Sequence, residues 1–355
     1  CDAALHGTVA EPQLEGLDGA GRALLVLEGS RSAWAWDPGL APKDLLAEAA
    51  AAARLHNPGQ AMVVSLAAAS TEPRASLSLT PRPQPGPAVR PPAVAGSFYP
   101  REPGALRRAV DGLLGAPGSP RQRWPAILVP HAGLQYSGRV AGAVYRRVEI
   151  PGSVIILGPR HTGAGVECAV APHEAWAVPG ASLPADPALA RRLAAAIPRL
   201  ELDAAAHQRE HCIEVQLPFL ARVAPAARVV GVLLGGGAED WPGLAAGLAD
   251  VLRELAAPPL LVISSDLSHH CPDPETRRLD GMALAALRAL DPAGLYAVVR
   301  EQGISMCGLL PAVVALEALR QLGGLHRCET VAYATSADAT GDTSRTVGYA
   351  GVLFG

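Results

Sequence analysis

Short, uninterrupted apolar stretches set the pattern of the chain: Ala126-Ile127-Leu128-Val129, Val154-Ile155-Ile156-Leu157, Arg228 to Leu234 and Leu260-Leu261-Val262-Ile263. Runs this short, with no polar alternation, predict strands buried on both faces. Stretches of helical character separate them: Glu102 to Leu114, Gly138 to Arg147, Asp186 to Ile197, Trp241 to Ala256, and two or three helices between Glu275 and Leu322. A further helix is expected from Glu210 to Val223, with Ile213, Leu217 and Leu220 on one face. Glu167 to Ala171, Thr330 to Tyr333 and Thr346 to Phe354 predict more strands. Strands alternating with helices predict an α/β fold, a three-layer α/β sandwich around a mostly central sheet.

The first 80 residues follow a different rhythm. Strands are expected at Ala23–Leu27, Ser32–Trp36, Ala61–Leu66 and Ala75–Leu79, with one helix opened by Pro42 and closed by Asn57-Pro58-Gly59. This predicts a small α+β accessory domain over residues 1–80. Residues 81–92 carry Pro81, Pro83, Pro85, Pro87, Pro91 and Pro92 and read as an extended linker. Residues 93–355 then form the large α/β domain.

Composition narrows the function classes. Of 355 residues 49% are hydrophobic, and the formal charge is −3 with no basic run, so nucleic acid and anionic membranes are not expected partners. No apolar run reaches the ~18 residues of a membrane helix. The cysteines at 1, 168, 212, 271, 307 and 328 show no CxxC pair, which fits reduced thiols and a cytoplasmic location. Lys43 is the only lysine, so no other Schiff-base or Walker-type lysine exists.

The candidate chemistry sits at strand ends. Pro130-His131 follows the first apolar run and Pro159-Arg160-His161 the second. In open α/β sheets ligands bind outside the carboxyl ends of strands, so two imidazoles aimed at one point suggest a metal or catalytic site. Ser264-Ser265-Asp266-Leu267-Ser268-His269-His270 ends a third run, where His269 with Asp266 beside it reads as a general acid/base histidine. His211 and Glu214, three apart on the expected helix, would share a face and read as supporting residues around the site. Cys307, in a Gly-bounded turn, is a buried structural thiol by default and a ligand only if the fold brings it to His131 and His161. Two His and one Cys would suit iron, copper or zinc with open positions. Gly235-Gly236-Gly237 lacks phosphate-loop spacing and reads as a tight turn, and a nucleophile at Cys1 has no recognisable base nearby.

These motifs, in this order, resemble the Memo family, including its bacterial AmmeMemoRadiSam system protein B members. The matching segments are Ala95-Gly96-Ser97-Phe98-Tyr99, Pro130-His131-Ala132-Gly133, Leu157-Gly158-Pro159-Arg160-His161, Glu210-His211-Cys212-Ile213-Glu214, Ser264-Ser265-Asp266 with His269, Met306-Cys307-Gly308, and the terminal Tyr333 to Ser336 and Val347 to Ala350. The family is similar in structure to class III extradiol dioxygenases, which use non-haem iron. The resemblance implies a metal held by His131, His161 and Cys307, with His269 as acid/base residue and Asp266 beside it. Tyr136, His211, Glu214 and His270 would line or support the pocket. Iron(II) is the favoured metal, with copper or zinc as alternatives. The implied function is metal-dependent redox or dioxygenase-like chemistry on a small molecule or peptide. The alternative is a non-catalytic metal- or peptide-binding accessory protein working with radical-SAM and AMMECR-type partners. A Cys in place of the dioxygenases' carboxylate argues against ring cleavage, and His270 stands where the family often has an aromatic residue.

Overall fold

The computed structural model describes residues 3–29, 31–68, 83–116, 120–236 and 241–355. Cys1, Ala75–Leu79 and Gly237 lie outside them. The chain divides into two compact units, Cys1–Pro81 and Arg82–Gly355.

In the first unit, strands β1 (Ala3–Thr8), β2 (Arg22–Glu28), β3 (Arg31–Ala35) and β4 (Met62–Ala67) form an antiparallel sheet in the order β1-β4-β2-β3. Helix α1 (Pro42–Ala53) covers one face. Its Leu45, Leu46, Ala49 and Ala53, at helical spacing, pack on Leu24, Val26, Ala33 and Val63 of the sheet. Pro42 starts the helix, where its missing N–H costs nothing. Strand β1 was not anticipated, because Gly7 and His6 interrupt its apolar character.

The second unit begins with β5 (Val89–Arg90), α2 (Pro103–Leu114), β6 (Ala126–Val129), α3 (Leu134–Tyr145), β7 (Ser153–Pro159), β8 (Cys168–Val170), β9 (Ala175–Val178), β10 (Ala181–Pro184), α4 (Pro187–Ala196), β11 (Leu200–Leu202), α5 (Ala204–His207) and α6 (Leu217–Val223). It continues with β12 (Arg228–Leu234), α7 (Trp241–Arg253), β13 (Leu260–Ser264), β14 (His269–Cys271), α8 (Asp273–Arg288), α9 (Pro292–Glu301), α10 (Leu309–Gln321), β15 (Cys328–Thr335), α11 (Ala337–Thr340) and β16 (Thr346–Phe354). The central sheet runs β11-β8-β12-β7-β13-β6-β16-β14, with β15 on the other side of β16. Its middle, β12-β7-β13-β6, is parallel.

The uninterrupted apolar runs are explained by burial on both faces. Leu128, Ile155, Leu157, Leu261 and Ile263 face a core closed by α4, α7, α8, α9 and α10. Ile127, Val129, Val154, Ile156 and Val262 face the opposite core, closed by α2, α3 and α6. This is the expected three-layer arrangement. Because β6, β13 and β7 are adjacent and parallel, with Val129 opposite Ser264 and Leu157 opposite Ile263, their carboxyl ends open on one rim.

Two local expectations need correction. Residues 210–223 do not form one helix: a turn through His211 to Ile213 leads into a 3-10 turn, Glu214–Gln216, and only then into α6. The Glu210 carboxylate takes the backbone N–H groups of His211 and Cys212, which holds the turn. The Pro-rich stretch is extended but, from Gln84 onward, docked. Gln84 exchanges hydrogen bonds with Asp203 and Ala204, Val89–Arg90 pairs with β9, and Arg90 is buried. Proline suits such a strap, since it holds an extended backbone and has no N–H to leave unpaired.

Two stability predictions follow from this packing. Ile156 is fully buried in the middle of the sheet, so Ile156→Ala should lower unfolding free energy by roughly 2–5 kcal/mol in urea denaturation. Burial, with His173 and Arg90 adding to it, pushes the His207 imidazole down to about 3. The folded protein therefore leaves His207 neutral where the unfolded chain, near pKa 6.5, takes up a proton. Its share of stability is complete above about pH 6.5 and is lost as pH falls toward 3, at up to ~1.4 kcal/mol per pH unit. His207→Gln should flatten the fall in urea midpoint between about pH 6 and pH 4 by about one proton's worth. An unchanged slope would place the acid sensitivity elsewhere.

Candidate metal centre

His131 stands two residues past the end of β6 and is 2% exposed. Its backbone N–H donates to Asp266 Oδ1 at 2.8 Å, and its Nδ1 lies 3.0 Å from Ser264 Oγ. The Ser264 hydroxyl donates to the Cys212 carbonyl at 2.7 Å and accepts from Gln216 Nε2 at 3.0 Å. With its single proton engaged, Ser264 can only accept from the imidazole. Nδ1 of His131 therefore carries the hydrogen, and Nε2 presents a bare lone pair. Burial, reinforced by His211 and His161, holds the imidazolium well below its ordinary range, so the ring is neutral.

His161 and His211 are oriented by one group, the buried Glu210 carboxylate. Oε2 accepts the His161 backbone N–H at 2.7 Å. Oε1 lies 2.9 Å from His161 Nδ1 and 3.2 Å from His211 Nδ1, and it accepts the backbone N–H groups of His211 and Cys212 at 2.8 and 3.2 Å. Burial by itself would raise this carboxyl, but the bonds from His161 and His211 hold it well below the carboxylate range. An ionised carboxylate only accepts. Both rings thus carry hydrogen on Nδ1 and expose Nε2, the usual arrangement of a metal-binding histidine with a carboxylate behind it.

The three rings converge. Centroids are 5.2 Å apart for His131–His161, 5.3 Å for His131–His211 and 4.5 Å for His161–His211, and one nitrogen from each lies within 4.8 Å of the others. Three imidazole nitrogens grouped this closely suit a divalent cation. Cys307, just before α10, adds a sulfur 3.3 Å from His131 Nε2. The Asp266 backbone N–H donates to that sulfur at 3.3 Å, while burial and the Asp266 carboxylate push the thiol up, so without a cation it stays protonated. A second grouping of His161, Glu210 and Cys212 is geometrically close. It makes a poor separate site: Glu210 is saturated with donors, and the Cys212 thiol is buried and donates to the Pro159 carbonyl at 3.2 Å.

The remaining expected residues fall around this cluster. Asp266 is buried and raised by burial, anchored on the His131 backbone and beside Cys307. His269 donates its backbone N–H to Ser305 Oγ at 2.7 Å, and its Nδ1 lies 2.8 Å from the Ser305 carbonyl. A carbonyl only accepts, so Nε2 of His269 is free to take a proton. Tyr136 is on the first turn of α3 and 37% exposed. His270 is exposed, with φ of 64°, its ring 6.0 Å from that of His269, and it is not part of the imidazole cluster. Glu214 is not part of the imidazole cluster. It pairs with buried Arg90 and accepts from Tyr99 and from the Ala93 and Val94 backbone.

Sequence reasoning missed Glu210, Ser264 and Arg90. Arg90 Nη2 donates to the Glu210 carbonyl at 2.7 Å, so the strap grips the turn that carries His211. The signal available was a charged residue, Arg90, directly after the uncharged apolar run Pro85-Gly86-Pro87-Ala88-Val89.

Fold and site together define an α/β protein with a histidine-rich candidate metal centre at the carboxyl ends of its parallel strands. A Memo-like protein family model matches residues 90–353, and the chain belongs to the Memo family. A MEMO1 family protein of Aquifex aeolicus (strain VF5) is 40% identical over 271 residues, covering 75% of this chain and 99% of that protein. MEMO1 family protein MTH_45 of Methanothermobacter thermautotrophicus is 35% identical over 275 residues, covering 74% and 99%. Among solved structures, that of the uncharacterized protein JW3007 from Escherichia coli K12 aligns over 66% of this chain and all of that one, at 16% identity and a TM-score of 0.45, too loose a likeness to bear on the site.

The shared carboxylate generates a sharp expectation. In Glu210→Gln one amide hydrogen must face an Nδ1–H, so one ring has to switch tautomer or turn. Metal affinity, read by competition with a chelator, should fall about 10–100-fold while the far-UV spectrum is unchanged. Unaltered affinity would mean that His161 and His211 do not bind through Nε2.

Proposed function

We propose that this protein is a metal-dependent oxidoreductase acting on a small molecule or peptide. The reading rests on one observation: three imidazoles, their Nδ1 atoms held by Ser264 and Glu210, each bring a nitrogen within 4.8 Å of the others beside a thiol. His131, His161 and His211 would hold the ion, and Cys307 would add a thiolate once the cation draws off its proton. Iron(II) suits this mixed donor set, and copper or zinc are the alternatives. Such an ion, when bound, supplies electron transfer or Lewis acidity.

The chain's own residues supply the rest. Ser264 and Glu210 fix the rings, so no tautomer change is needed on binding. Asp266 holds the His131 backbone and the sulfur in place. His269, outside the ring cluster and with Nε2 bare, moves protons of a bound substrate or water. A metal ligand and a proton-transfer residue respond differently to removal, and that difference tests the reading.

Metal analysis of anaerobically purified protein should find about one transition-metal ion per chain. His211→Ala should empty the site. His269→Gln should keep the metal but lower metal-dependent O₂ consumption by about 10²-fold. Loss of metal in His269→Gln would make it a ligand. Full occupancy with no turnover in the unmodified protein would favour the accessory, binding-only role.

A further inference from the structure

A cleft of about 800 Å³ lies between the Gly96–Pro100 loop, α2 and α3, within the roughly 300–1,000 Å³ typical of small-molecule sites. Small uncharged residues, Ala109 and Gly112 on α2 and Ala143 on α3, line it between the helices. Its rim is cationic: Arg108 on one side, Arg139 and Arg146 on the other, and no acidic residue lines it. Arg139 on α3 and Arg146 at its C-cap, still helical in backbone, are seven apart and so on one face, and neither has an ion pair among the described residues. Among the described residues Arg108 has a single long, exposed ion pair, to Glu102 at 3.9 Å.

One lining residue, Phe98, separates the cleft from the imidazole cluster. The Phe98 ring packs on that of His211 with centroids 4.7 Å apart. Gln135, at the start of α3 and four residues after His131, also lines the cleft. From there to Arg146 the helix runs roughly 16 Å, the length of an extended small molecule. Unpaired guanidinium forks above an uncharged floor match carboxylate and phosphate oxygens, which they can bind in pairs.

We propose that this cleft binds the oxyanion end, carboxylate or phosphate, of a small organic molecule whose other end points past Phe98 toward His211. The oxyanion site stands on the cleft alone; that its ligand is a substrate rests on the metal-centre reading above. The neutral lining and the unpaired Arg139 and Arg146 set the specificity: an uncharged or cationic molecule leaves these two arginines without a partner.

The test is calorimetric titration of the full chain, as purified and after chelator treatment, with succinate and with glycerol 3-phosphate as probes. At least one should bind with millimolar or better affinity in both preparations, and the better probe tells carboxylate from phosphate. Arg139→Gln/Arg146→Gln should weaken it at least about tenfold at an unchanged melting temperature. The Lys/Lys pair, which keeps the charge and loses the fork, should fall between. Arg191→Gln, on exposed α4 surface, should change nothing. Binding of neither probe, an unaffected double variant, or equal weakening by Arg191→Gln would each overturn the proposal. Anion binding by a chain that holds no metal would instead leave the cleft standing and remove the metal-centre reading.

Discussion

A single buried negative charge, the Glu210 carboxylate, is the constraint on which the candidate centre depends. An isolated carboxylate taken out of water costs several kcal/mol. Here the cost is met by backbone N–H groups of three residues and by two imidazole N–H groups, all charge-assisted donors. The arrangement works only if the His161 strand end and the His211 turn come to the same carboxylate. Fold geometry and ring tautomer are therefore set by the same contacts, and neither can be altered without disturbing the other. On the opposite side Ser264 does the equivalent task for His131 with a neutral hydroxyl, its own proton directed away by the Cys212 carbonyl.

Two polar networks run inward from this rim. One passes from His131 through Ser264 and Gln216 to the Tyr145 hydroxyl, which donates to Gln216 Oε1 at 3.1 Å. The other links Glu210 through Arg90 to Glu214 and Tyr99. Both lie against the apolar layer closed by α2, α3 and α6, and in both every named side chain finds a partner. Half-satisfied networks in such surroundings would cost more than an apolar core. That completeness gives the rings little freedom to turn, which is what a metal site needs from its surroundings.

Much of the fold could be read in the residues, because period and length of apolar runs report burial directly. The strands carrying His131 and His161 and the one preceding His269 were legible for that reason, and so was their common rim. Membership of the Memo family was legible from the order of short motifs. What could not be read was any feature decided by a contact distant in sequence. His211 looked like a helical neighbour of Glu214, since both local spacing and the Ile213, Leu217, Leu220 pattern allow a helix. The competing interaction, Glu210 accepting from His161 some fifty positions earlier, has no local signature. Arg90 was hidden for the same reason: its partners Glu210 and Glu214 lie about 120 residues away. Cys307 could be placed near His131 only through the family resemblance, and the short separation of sulfur and Nε2 is a property of the packed sheet end.

The docked strap from Gln84 to Arg90 changes where the large unit begins in practice. Similarity to the Memo family starts at residue 90, and the prolines suggest a hinge ending at Pro92. Physically, the unit reaches back at least to Gln84, whose bonds to Asp203 and Ala204 tie down the strap that ends in Arg90. Dissection at the family boundary would keep Arg90 but remove the Gln84 bonds that fasten its strap, and a cut at Pro92 would strand the buried Glu214 carboxylate without its cation. The same fastening makes the strap a line of mechanical force: tension applied from the N-terminal side meets the Gln84 bonds first and the guanidinium that holds the His211 turn only after them.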